Sequence, residues 1–259
     1  MSVEYFVDER SIVREIWGKG DTILFIFAGA SAEFALNKAV DWLYFTGRLP
    51  ADPLGRLFST VSYARTIVFA EKESAYRAID SIAAIHTAVE EKRGYSIPDW
   101  AYRDVLFMLI DYSIRAYEAL ERKLTANEKG EAFDVFYRVG SRMGVKGLPP
   151  TFEAWEKMRE GHLYENMKYS YYTADLFSQY RKHLGAVRYR LLLETQTLIV
   201  PYKVHELLNL RRFSLLNLIL GLYKISRYIK ADGILKELIL PAKYKKEIKS
   251  LDMKKAHTN

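Results

Sequence analysis

Along almost the whole chain, apolar residues recur every three or four positions, and no segment alternates with the period of two that a half-buried strand requires. Glycine and proline number only 14 and 7 in 259 residues, too few for the many turns of a sandwich or barrel. They stand instead at the ends of the periodic segments. This pattern predicts an all-α fold of about ten helices in a single globular domain around a central apolar cavity. With 49% apolar and 27% charged residues, disordered, collagen-like and simple coiled-coil chains are excluded. The 19 tyrosines suggest apolar cavities with polar tips at their edges.

The local signals divide the chain as follows. A helix over 11–19 ends at Gly20, and Asp21 caps a second over 22–37 that is apolar enough to be central. A short helix over 39–46 closes at Gly47. Asp52-Pro53 starts the next, to about Ala70, because Asp can accept from the free N–H groups of the first turn and Pro suits the first helical position. Helices follow over 73–92, stopped by Gly94, and over 98–123. Thr125 caps a helix to about Met143, with Glu128 completing a capping box. After a loop over 144–150, Thr151 caps a helix to about Tyr169. A long helix over 175–210 is kinked or broken at Pro201. A mostly buried helix over 213–230 and a frayed one over 235–250 end the chain. No repeat or linker interrupts it, so residues 1–210 read as a core and 211–259 as a C-terminal helix packing on that core plus a basic tail.

The formal charge of +7 belongs to that tail. From Arg211 onward twelve Lys and Arg face four Asp and Glu, a balance of +8, and the preceding residues carry −1. A nucleic-acid-binding body is therefore not indicated. A basic tail beside an apolar helix could make weak contact with an anionic membrane surface, or simply be a solvated Lys-rich end. The first residues lack the apolar core of a secretion signal, and the apolar stretches at 22–36 and 213–223 are short of a membrane span, so the chain reads as cytoplasmic.

Several chemistries are excluded by residue type. Cys is absent, which removes disulfides, Cys-zinc sites, iron–sulfur clusters and thiolate chemistry. There is no Walker A sequence, no GxGxxG and no Gly-x-Ser-x-Gly elbow. His205-Glu206-Leu207-Leu208-Asn209 begins like a zinc-protease HExxH but carries Asn209 at the second ligand position. No Glu-x-x-His pair marks a di-iron bundle. His162, His183, His205 and His257 read as structural or solvated.

His86 differs. Ala75, Ile79, Ile82, His86 and Val89 form one apolar stripe at spacings of four, three, four and three. An imidazole there needs a partner for a nitrogen: a Tyr hydroxyl or backbone carbonyl in the plain reading, an iron in the sharper one. On the preceding helix Arg56, Thr60, Tyr63 and Ile67 share a face. Such an Arg suits a bidentate carboxylate, either a haem propionate or an acidic side chain across two helices.

Gly55-Arg56-Leu57-Phe58-Ser59-Thr60, then Ile67-Val68-Phe69, Ala75, Ala78 and Ile85-His86-Thr87-Ala88-Val89 resemble the rubber-oxygenase/MpaB-type oxygenase family. The likeness continues through Tyr95, residues 104–113 and Leu148-Pro149-Pro150-Thr151-Phe152, spanning roughly 20–209. The resemblance implies an all-helical oxidoreductase that binds haem b and uses dioxygen to cleave carbon–carbon double bonds of isoprenoid chains. It implies His86 as the proximal iron ligand and Arg56 and Thr60 at the haem edge or on the distal side, with Tyr63 on the same face. Latex-clearing members have Lys just before the Thr, where this chain has Ser59. Under this resemblance, a carboxylate helping the oxygen chemistry could come from Glu33 or Asp41 upstream. The substrate implied is a small hydrophobic isoprenoid, lipid or secondary metabolite. Two other readings stand beside this one: a non-catalytic helical lipid- or pigment-binding protein, and a protein acting at a membrane surface through the basic end.

Overall fold

The computed structural model describes residues 3–45, 47, 51–217 and 220, and gives only the backbone of Leu43, Leu54, Arg56, Leu57, Phe58 and Val61. Ten helices carry the described residues: α1 (Ile12–Trp17), α2 (Gly20–Leu36), α3 (Val40–Phe45), α4 (Pro53–Phe69), α5 (Lys72–Arg93), α6 (Asp99–Leu120), α7 (Ala126–Arg142), α8 (Phe152–Glu165), α9 (Tyr171–Ile199) and α10 (Tyr202–Leu207). Among the described residues there is no strand, only two isolated bridges, Tyr5 with Glu71 and Asn37 with Met167. No helix among them is long and apolar enough to cross a membrane. Most of the helix expected over 213–230, the whole of 235–250 and the basic tail lie outside the described residues.

α2 is the hub, packed between α6 and α9. Its sequence explains the closeness of the packing. Ala28, Gly29, Ala30, Ser31, Ala32 and Ala35 make a helix with little side-chain bulk, and all of these residues are buried. A Cβ on Gly29 would sit 2.2 Å from the Tyr112 ring, so that ring lies directly on the α2 backbone. Trp17, Ile23, Ile26, Leu36, Phe107, Met108 and Ile110 are buried in the same core cluster as Tyr112. At about 1.5–3 kcal/mol for each large side chain buried, this packing is the main stabilising term.

The caps read from the sequence form. Ser11 accepts from Val13 N, Asp52 from Gly55 N and Thr151 from Ala154 N. Thr125 and Glu128 make both bonds of a capping box. Gly94 closes α5 in the left-handed conformation, with φ 77°.

Four boundaries differ from expectation. α1 is capped at Gly18, and Gly20 opens α2 instead of closing α1. Asp21 therefore lies inside the first turn of α2, where its carboxylate accepts from Thr22 N. α8 stops at Glu165 rather than near Tyr169. Beyond it Lys168 N donates to Leu36 O at 2.8 Å, supplying a carbonyl left without a partner at the end of α2. The long helix begins earlier, at Tyr171, and is broken by Gly185 (φ 72°, ψ 171°), a conformation essentially confined to glycine. Pro201 then separates α9 from α10, as expected of a residue with no N–H to continue the ladder.

Candidate cofactor site

Only Ala70 and Glu71 join α4 to α5, so the two helices pack on each other. The N-terminal segment clamps the link, with Phe6 N donating to Ala70 O and Lys72 N to Glu4 O. Near this link the pair is sealed: Ile67, Val68, Ala75 and Ile79 are buried. Away from it the same faces open. Ile82, His86 and Val89 on α5 and Thr60 on α4 are half-buried. Tyr63 is 40% and Ile85 48% exposed. The α5 stripe predicted from sequence is therefore real, but only its first half is covered. Thr60, Tyr63 and His86 all belong to the open part of the helix pair. The Arg56 side chain lies outside the described residues, and Ser59 is exposed.

The His86 ring has a defined neighbour. It stands at right angles to Tyr102 of α6, with ring centroids 5.3 Å apart. His86 Nδ1 is buried. The Tyr102 hydroxyl donates to Glu90 Oε1 at 3.0 Å, and Ile97 N donates to the same oxygen at 2.7 Å. Burial and the Glu90 carboxylate push the Tyr102 phenol well above its ordinary value, so it stays a donor.

Both upstream carboxylates considered from sequence are held by arginines. Asp41 accepts from Arg93 Nη2 at 2.6 Å, and the Arg93 guanidinium lies 4.0 Å from the Trp42 ring centroid. Glu33 is fully buried. It accepts from Arg159 Nη1 at 2.5 Å and Nη2 at 2.6 Å, and from the Tyr112 hydroxyl at 2.9 Å. Burial on its own would lower the Arg159 pKa, but the Glu33 and Asp111 charges override it and hold the guanidinium ionised. Burial, then the Glu33 charge, keep Tyr112 protonated.

Sequence reasoning passed over the polar centre to which Glu33 belongs. Asp111 accepts from Arg159 Nη2 at 3.0 Å and from Arg115 Nε at 2.6 Å, so two acids meet two guanidinium groups. Two turns earlier on α6, the fully buried Asp104 binds His162 Nδ1, Asn37 Nδ2 at 2.9 Å and Asn166 Nδ2 at 3.1 Å. His162 thus has a structural partner. The signal was present in the spacing of Arg159, His162 and Asn166, three and four apart on one face of α8 and its C-cap. It reads equally well as a solvated stripe, and only the facing acids on α2 and α6 tell the two apart.

Among the described residues no three His, Asp or Glu side chains converge to hold a metal ion by themselves. A family model described as ER-bound oxygenase mpaB/B'/Rubber oxygenase, catalytic domain, matches residues 17–219. The chain belongs to this family. The match reaches from the end of α1 past α10, and it includes Arg56, Thr60, Tyr63 and His86 as well as the buried polar centre. No curated protein matches the chain. Membership supports an oxygenase, with dioxygen and an organic substrate as its reactants.

Proposed function

We propose that the chain is a b-type haem-dependent oxygenase acting on a small hydrophobic, alkene-bearing substrate of isoprenoid or lipid type. The observation that carries this reading is His86: an imidazole on an apolar helix face that the rest of the fold leaves half-covered, in a chain of an oxygenase family. A haem would need a nitrogen ligand from the chain in an apolar setting, and the His86 imidazole, on one stripe with the half-buried Ile82 and Val89, fits that need.

His86 would hold the iron through Nε2, because Nδ1 is buried against the protein. Arg56 would offer a propionate two parallel N–H donors, and the Thr60 hydroxyl one more. When bound, the haem supplies the site at which dioxygen is activated for oxidative cleavage of a carbon–carbon double bond. The chain's own residues orient and exclude. Ile82, Val89 and Tyr63 give an apolar chain a surface to lie on and keep water from it. Glu33, tied to Arg159 and Tyr112, holds α2, α6 and α8 together rather than exchanging protons with substrate.

The test is the absorption spectrum of protein expressed with a haem precursor, oxidised and then reduced. A Soret band at about one haem per chain that shifts with carbon monoxide, and is absent from His86→Ala, is the expected result. A helical protein that stays colourless after haem addition overturns the reading and favours a lipid-binding protein. Retention of haem with an unchanged spectrum by His86→Ala overturns the ligand assignment.

A further inference from the structure

We infer that Tyr102 and Glu90 are positioning residues for His86, a clasp that sets the plane of the imidazole; the inference rests on the haem reading above. Glu90 lies four residues after His86, one turn along the same face of α5. Tyr102 comes from the neighbouring helix, α6, and touches both. Its ring meets the His86 ring at an interplanar angle of 86°, and its hydroxyl is anchored on Glu90 Oε1 at 3.0 Å. The same carboxylate oxygen receives Ile97 N from the loop between the helices, so the anchor is itself held at two points.

The direction in which Nε2 of a half-buried imidazole points is set by its two side-chain torsions, and so by what lies against the ring. The perpendicular aromatic contact favours one setting of the Cβ–Cγ torsion. The hydroxyl bond fixes the aromatic ring relative to the helix that carries the imidazole. The clasp touches neither dioxygen nor substrate. Its effect passes through the orientation of one ligand, as neighbouring groups do around other metal-bound histidines.

The two parts of the clasp separate by substitution. Tyr102→Phe keeps the ring and drops the anchor, and Tyr102→Leu drops both. Haem-loaded Tyr102→Leu is expected to lose haem to an excess of apo-myoglobin about 10-fold faster or more, within the range known for groups that orient metal ligands. Its ferric electron paramagnetic resonance spectrum is expected to change in rhombicity. Tyr102→Phe is expected to fall between Leu and wild type, and Glu90→Gln, which keeps an acceptor oxygen, to stay near wild type. A second readout needs no haem. In protein with labelled histidine, Tyr102→Leu should shift the His86 ring protons, which lose the ring current of their neighbour, and Tyr102→Phe, which keeps a ring, should leave them near their wild-type positions.

If all variants lose haem at the wild-type rate with an unchanged ferric spectrum, the clasp does not position the ligand and the inference fails while the haem reading stands. If the wild type binds no haem, the haem reading fails, and the inference falls with it even where the ring-proton shifts still report the contact.

Discussion

The α2–α6–α8 centre and the open half of the α4–α5 pair are both built from polar side chains on otherwise apolar helix faces, yet they are finished in opposite ways. In the centre Glu33 and Asp104 are fully buried, and each carboxylate has three or more donors. On the open half one imidazole stands half-covered among Ile, Val and Tyr, with Ile85 and Tyr63 facing outward. Burial is costly for a charge and cheap for an aliphatic side chain, so a folded chain completes its ionic groups before its apolar faces. A centre of paired charges therefore reads as support, and an uncompleted apolar face carrying one polar group reads as a place for a ligand.

If that contrast is right, damage to the centre should cost stability and damage to the open face should cost binding. The largest stability effect is expected from Arg159→Leu. It strands the buried Glu33 carboxylate and leaves Asp111 only Arg115, and should cost about 3–5 kcal/mol by urea unfolding. A loss below about 1 kcal/mol would break the comparison, because the centre would then not depend on its pairing. Next is Gly29→Ala, where the new methyl would strike the Tyr112 ring; about 1–3 kcal/mol is expected, from the same measurement. Thr125→Ala, which removes the cap of α7, should cost about 1 kcal/mol without altering haem content.

A smaller effect is expected from pH. The Arg122 bond, then the Thr125 backbone bond, hold the Glu128 pKa down from 4.5 to about 2. A depressed carboxylate stabilises fully above its unfolded value and loses that contribution as pH falls toward its folded one. Thermal stability should therefore decline below about pH 4.5, and less steeply in Glu128→Gln. Because Glu128 lies near the surface, its share of the decline should be modest. The smallest change in stability is expected for His86→Ala, under about 1 kcal/mol, together with complete loss of haem. A His86 variant that unfolds as readily as Arg159→Leu would show that the imidazole is core and erase the difference between the regions.

Much of the helical framework was legible because its signals are local. Ser11, Asp52, Thr125 and Thr151 satisfy N–H groups two or three residues away, and Gly94 needs nothing beyond its own φ to end a helix. Pro201 broke the long helix where its missing N–H required. The break at Gly185 was not legible, since a lone glycine in a helical pattern is usually tolerated. Of the candidate site, only the α5 helix and the spacing that places His86 on its stripe were legible. That the stripe is sealed at Ile79 and open at His86 was not, because coverage depends on which helices lie across it.

By itself, then, the sequence determined an all-helical chain, most of its helix ends and the faces its helices present, for these rest on contacts within a turn or two of backbone. Family membership was written in it as well. Only the tertiary structure decided that Arg159, His162 and Asn166 meet the acids of α2 and α6, and that Tyr102 stands across His86. Each pair joins different helices, 126 residues apart along the chain for Glu33 and Arg159, and a polar stripe looks the same whether its partner is water or another helix. The free energy that distinguishes the two, desolvation against pairing, is set only when the second helix arrives.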